Sequence, residues 1–203
     1  MILAPDEIER AGRYHQEKDQ LRFIISRGML RLLLGKYLNQ KPINIHLEIG
    51  ANKKPFVQNR RGDDLHYNVS HSGDLILIAV SNSEVGIDIE KINDSFSYKE
   101  ILPHNFSDEE ILFIKKPEDF YLLWTRKEAL LKATAKGIDD DLPLIPSLDG
   151  THHVNSEIIG SEKNWNVNSF HIGDGYIGSV TKSCDKNAIN FYDTQSLMQS
   201  DSL

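Results

Sequence analysis

Val85-Gly86-Ile87-Asp88-Ile89-Glu90-Lys91 is the stretch on which the reading of this chain turns. Successive side chains of a strand point to opposite faces. Val85, Ile87 and Ile89 therefore share one face, and Gly86, Asp88 and Glu90 the other. Burying three β-branched residues fixes the register, because a slip of one position would put them all in water. Two carboxylates then stand side by side, with a glycine below them that leaves room for something to approach. Like charges this close repel unless a proton or a cation lies between them. Paired hard oxygens suit magnesium, and magnesium suits phosphate chemistry. A solvated strand face beside Lys91 is the alternative that this segment alone leaves open.

The surrounding composition sets bounds. With 203 residues, 39% hydrophobic and 26% charged, the chain has an ordinary globular make-up and can bury a real core. No apolar run approaches the roughly 20 residues of a membrane span. Met1-Ile2-Leu3-Ala4-Pro5-Asp6 lacks the basic flank and apolar stretch of a signal peptide. Cys184 is the only cysteine, which excludes an intrachain disulfide and points to a reducing cytoplasm. The net charge of −7 hides an asymmetry: residues 20–62 hold nine Lys and Arg (Arg22, Arg27, Arg31, Lys36, Lys41, Lys53, Lys54, Arg60, Arg61) against Glu48. A positive region on an acidic protein suits a specific anionic ligand better than general nucleic-acid binding. A solvated basic helix face is the plainer account of the same charges.

Along the chain, residues 20–38 read as an amphipathic helix with Leu21, Ile24, Ile25, Met29, Leu32, Leu33 and Leu34 at its apolar positions. Residues 43–49 alternate as a strand, Lys53-Lys54-Pro55-Phe56 reads as a turn, and residues 75–80 form an apolar strand. Asn82-Ser83 predicts a hairpin turn into 85–90. Residues 98–115 read as short helices, with Ser107-Asp108-Glu109-Glu110 as a helix start. The strongest helix follows Pro117 and ends near Gly137. Residues 138–163 read as loop, and 165–170, 176–181 and 188–192 as strands, before a polar tail from Thr194. Asp139-Asp140-Asp141 has the residue types of metal ligands but reads more simply as an exposed acidic loop, and His152-His153 has no partner ligands at a suitable spacing.

Trp124, Glu128 and Lys132 fall at i, i+4 and i+8, on one face of that strongest helix. Glu128 and Lys132 alone would make a surface pair. The indole on the same stripe argues for a partly buried face instead. If this face meets the Asp88/Glu90 strand, three acids and one lysine can bind a magnesium diphosphate and deprotonate a hydroxyl nucleophile. Asn68-Val69-Ser70-His71-Ser72-Gly73 adds small donors able to hold phosphate oxygens. A serine-hydrolase reading fails, because adjacent Ser and His do not easily form a nucleophile–base pair.

These motifs together resemble the 4′-phosphopantetheinyl transferases of the larger, surfactin-synthetase-activating type. Asn68 to Gly73, Gly86-Ile87-Asp88-Ile89-Glu90 and Trp124-Thr125-Arg126-Lys127-Glu128-Ala129-Leu130-Leu131-Lys132 occur in that family's order and spacing. Lys54-Pro55 and Phe106-Ser107-Asp108-Glu109-Glu110 match two further elements. The chain departs from the family where Lys53 replaces its usual glycine, and its first helix begins close to Met1. The resemblance implies an α+β protein of two similar halves, residues 1–90 and 91–203, with the catalytic helix at 117–136. It implies coenzyme A bound at their junction and an apo acyl or peptidyl carrier protein as partner, with a monomer as the active form and neither nucleic acid nor membrane involved. By position, Asp88, Glu90 and Glu128 would hold Mg2+. Glu128 would be the base for the carrier serine, and Lys132 would neutralise the diphosphate. Arg22, Lys54 and His71 would contact the nucleotide, with Ser70 lining its pocket. The carrier would dock on the basic first half or on residues 106–114. A coenzyme A-binding sensor or scaffold without catalysis is the alternative. A metal-dependent nuclease is a third reading, although the Glu-x-Lys spacing of such enzymes is absent.

Overall fold

The computed structural model describes residues 2–50, 52–58, 65–137, 141–148, 151–154, 156–183 and 188–194. Arg60, Arg61, Asp139, Asp140, Cys184 and residues 195–203 lie outside them. The fold is α+β, as expected. It divides into two compact units, residues 1–47 with 186–203, and residues 48–185.

In the first unit α1 (Pro5–Ala11), which has no counterpart in the sequence reading, precedes α2 (Glu17–Leu38). Asn39 ends α2 in the left-handed conformation. The inward stripe of α2 is Leu30, Arg31, Leu34, Gly35 and Leu38, whereas Leu21, Ile24 and Ile25 are exposed. Arg31 decides this face. Its guanidinium is buried against Glu7 at 2.6 Å and donates to the carbonyls of Pro42 and Ile45. The same bonds hold Pro42–Asn44 in a 3-10 turn, so the alternation over 43–49 yields only a short strand, β1 (Leu47–Ile49). The basic window is thus partly spent inside the fold. Arg27 also reaches Glu7, and Arg22 pairs with Asp19. Residues 188–192 form no strand.

The second unit begins with a ribbon of β1 and β2 (Pro55–Val57). The Lys53 N–H donates to the Gly50 carbonyl and the Gly50 N–H to the Lys54 carbonyl. The turn therefore precedes Pro55, which opens a strand, a position where a missing N–H is tolerated. β3 (His66–Ser72) and β4 (Leu75–Ser81) form an antiparallel hairpin with Ser72 opposite Leu75. The expected hairpin between β4 and β5 (Val85–Lys91) does not form. β5 instead pairs with β8 (Tyr176–Ser183), with Asp88 opposite Ser179, in a sheet ordered β5-β8-β7-β6. Residues 85–89 are buried on both faces, and the seam between β3 and β5 is filled by side chains instead of a backbone ladder.

Two short helices, α3 (Leu102–Asn105) and α4 (Asp108–Phe113), lie where the sequence places them, and Ser107 and Glu110 close a capping box at the start of α4. α5 (Pro117–Thr134) packs across the sheet and ends at Ala135, φ 60°, two residues before the expected glycine. The segment 138–163, expected as loop, carries a 3-10 turn at Leu142–Leu144, β6 (Thr151–His153) and α6 (Ser156–Ile159). Leu142, Ile145, Val154 and Ile159 pack with Leu130, Leu131 and Trp165 of β7 (Asn164–Ile172) in one apolar cluster. His152 and His153 sit in β6, opposite Trp165 and Asn164 of β7. A second cluster gathers Tyr98, Leu102, Phe106, Phe120, Tyr121 and Leu123. Among the described residues, no helix is long and apolar enough to cross a membrane.

Candidate active site

The acidic face of β5 is covered by α5. A Cβ added at Gly86 would lie 2.0 Å from the Ala129 carbonyl oxygen and 2.4 Å from the Ala133 amide nitrogen. The room left by this glycine is therefore taken by the helix backbone itself. Close approach there sets the height at which the next turns of α5 meet the strand. Trp124 packs against both apolar clusters and stacks on Phe120 with ring centroids 5.9 Å apart, which fixes the roll of the helix.

Asp88, Glu90, Glu128, Lys132, Ser70, His71, Trp124 and Val69 consequently line one cavity of about 290 Å³. Lys132 Nζ lies 2.6 Å from Asp88 Oδ1 and donates to Ser70 Oγ at 3.1 Å, while Ser70 donates to Asp88 Oδ1 at 2.8 Å. Asp88 is 3% exposed, and its second oxygen, Oδ2, is buried without a hydrogen-bond partner. Glu90 Oε2 accepts from Ser72 Oγ at 2.8 Å. Burial pushes the Glu128 carboxyl up to about 6, Asp88 and Glu90 add to this, and Lys132 opposes it. Glu90 is also raised by burial and by Asp88, against Ser72 and Lys132.

Excess negative charge in a half-dry cavity, with an orphaned carboxylate oxygen, is a donor set that fits a hard divalent cation. Asp88, Glu90 and Glu128 are the residues that could hold it. As they stand, no group of three or more His, Cys, Asp or Glu among the described residues is at metal-ligating spacing. Asp88 is turned to Lys132 and Glu90 to Ser72.

Two further residues expected at the nucleotide, Lys54 and Arg22, are not among those that line this cavity. Lys54 lines a neighbouring cavity of about 170 Å³ with Phe56, Tyr67, Glu84 and Ala133. Its ammonium donates to the carbonyls of Val85 at 3.1 Å and Ala133 at 2.7 Å, tying the start of β5 to the end of α5. Burial lowers its pKa to about 8, with Glu84 opposing. Arg22 sits on α2 in the first unit, paired with Asp19. The run Asn68 to Ser72 lies in β3, and the side chains of Asn68, Ser70 and Ser72 are engaged with β5. The sequence reading missed Asn68 and Ser72 as partners of β5. Their signal was the polar repeat of period two, 68-70-72.

Residues 1–83 match the family described as 4′-phosphopantetheinyl transferase, N-terminal, and residues 84–181 match the 4′-phosphopantetheinyl transferase superfamily. The slr0495 protein of Synechocystis sp., provisionally named for the same activity, is 31% identical over 176 residues, covering 83% of this chain and 72% of that protein. The 4′-phosphopantetheinyl transferase HetI of Nostoc sp. is 33% identical over 67% of this chain, which spans 61% of HetI. The 4′-phosphopantetheinyl transferase Sfp of Bacillus subtilis is 27% identical over 86% of this chain and 80% of Sfp. Two family matches that meet between β4 and β5, and a relative at this level along most of both chains, leave one conclusion: the chain belongs to the 4′-phosphopantetheinyl transferase superfamily.

Proposed function

We propose that this chain transfers the 4′-phosphopantetheine group of coenzyme A to a serine hydroxyl of an apo acyl or peptidyl carrier protein. The observation that carries the reading is the cavity in which three carboxylates meet Lys132, with Asp88 Oδ2 left unpartnered. In the proposed step the serine oxygen bonds to the phosphorus that bears the pantetheine. The bond from that phosphorus to the bridging oxygen breaks, and adenosine 3′,5′-bisphosphate leaves with the electron pair. Glu128 takes the hydroxyl proton, directly or through water. Lys132, released from Asp88, meets the charge that develops on the departing phosphate. Asp88, Glu90 and Glu128 would hold magnesium, which supplies charge neutralisation on the diphosphate when bound.

Ser70 and His71 belong to the nucleotide side of the same cavity, while Lys54 and Arg22 are assigned to the nucleotide on the resemblance alone. In this reading residues 1–90 bind coenzyme A and residues 91–203 carry the base, in a cytoplasmic monomer. Leu112 and Phe113 are exposed on α4 and offer an apolar contact for the carrier. The test is incubation with magnesium, coenzyme A and a panel of apo carriers, read by the mass of the carrier. One added phosphopantetheine on the carrier serine is expected. Coenzyme A binding with no transfer to any carrier would replace the enzyme by a binding protein.

Two variants probe the assignments. In chelator, a Glu128 carboxyl whose folded pKa is raised to about 6 favours folding below its unfolded value, and that contribution is lost as pH rises through about 6. Glu128→Gln is therefore expected to be more stable than the wild-type protein at neutral pH, with the advantage vanishing toward pH ~4.5. Urea unfolding midpoints across that range are the measurement. Lys54→Ala is expected to raise the KM for coenzyme A. It also removes two charge-assisted bonds to carbonyls, lowering stability by about 1.5–3 kcal/mol in chemical denaturation.

A further inference from the structure

β3 and β5 lie in different ladders, yet a comb of side chains joins them. Asn68 Oδ1 accepts from the Ile87 N–H at 2.8 Å, Ser70 donates to Asp88, and Ser72 donates to Glu90. The two serines are wired alike but anchored differently. Ser70 accepts from the Lys132 ammonium at 3.1 Å, a partner that an incoming phosphate can draw away. Ser72 accepts from the backbone N–H of Lys91 at 3.0 Å, which is fixed in the strand. A hydroxyl whose lone pair is taken by a backbone N–H has its own proton free to donate. Here that proton goes to Glu90 Oε2 at 2.8 Å.

We propose that Ser72 is the positioning residue for Glu90, holding one carboxylate oxygen against the β3 side of the cavity so that the other is presented to the cation. This deepens the transferase reading and rests on it. Among the described residues, the hydrogen bond that Glu90 accepts is this one from Ser72, through Oε2. Without the bond, the carboxylate regains rotamer freedom that metal binding must then remove.

The experiment measures Mn2+ binding by electron paramagnetic resonance of the free ion, with and without coenzyme A, alongside transfer assays at varied magnesium. Ser72→Ala is expected to weaken Mn2+ about 10- to 100-fold, the scale for loss of an outer-shell partner. The KM for magnesium should rise similarly, with a smaller change in kcat at saturating metal. Ser72→Cys, which keeps the volume but donates weakly, should follow Ser72→Ala, and Ser72→Thr should restore the wild-type affinity. Thermal unfolding of each variant separates a positioning loss from a folding loss. Wild-type Mn2+ affinity in folded Ser72→Ala or Ser72→Cys would overturn the proposal while leaving the transferase reading standing. A wild-type protein that binds no Mn2+ and modifies no carrier would overturn both.

Discussion

Asp88→Asn is expected to lower turnover by a factor of at least about 10² to 10³, the scale for removing one group preorganised around developing charge, while leaving the fold at nearly its original stability. The two expectations come from the same geometry. Asp88 is almost fully buried, Lys132 satisfies one oxygen, and the other oxygen has no partner. A buried carboxylate oxygen without a partner costs free energy, and a neutral amide of the same shape relieves part of that cost. The lost attraction to Lys132 offsets some of the relief, but that lysine is partly exposed and can turn to water. The net change in stability should stay within about 1 kcal/mol. Loss of turnover without loss of stability would mark Asp88 as a residue kept for function. Transfer assays paired with denaturant midpoints are the measurement. Near-normal turnover in Asp88→Asn would remove Asp88 from the site, and collapse of the fold would make it a structural acid.

Asp88, Glu90, Glu128 and Lys132 were legible in the sequence because each carries charge at a spacing that only one face of a strand or helix can satisfy. Their convergence in one cavity follows from the period of the two elements once they are packed together. What was not legible depended on partners distant in the chain. β5 reads locally as the second arm of a hairpin, but its ladder runs from Val85 to Lys182, and no local turn signal encodes that choice. The inward face of α2 was misread for a similar reason. Apolar residues occur around most of that helix, and a buried arginine bonded to Glu7 and two carbonyls selects the face. Lys54 shows the converse limit. Its charge suggested a ligand, and no local pattern announces that its ammonium also bonds the carbonyls of Val85 and Ala133, at the start of β5 and the end of α5.

The neighbour of the proposed base gives the second large effect. Lys127→Met is expected to destabilise the protein by about 3–5 kcal/mol, the cost of stranding one member of a buried ion pair. The side chain of Lys127, next to Glu128 in the sequence, is fully buried. Its ammonium lies 2.8 Å from Glu110 Oε2, donates to the carbonyls of Leu142 and Ile145, and sits over the Phe106 ring. Glu110 in turn accepts from the Ser107 N–H at the start of α4 and from the Ser147 N–H and hydroxyl. Desolvation lowers the lysine pKa, and Glu110 opposes the shift. This one network fastens α4 and the 142–147 segment to α5, one residue from Glu128. Removing the lysine strips the buried Glu110 carboxylate of its counter-ion and takes one donor from each of two carbonyls. Removing both charges, in Lys127→Met with Glu110→Gln, leaves only the carbonyls, so the double variant should lose less than the sum of the single losses. Urea midpoints at unchanged slope would measure each value. Strict additivity would mean that the two side chains act independently and that the network does not hold α5 as a unit.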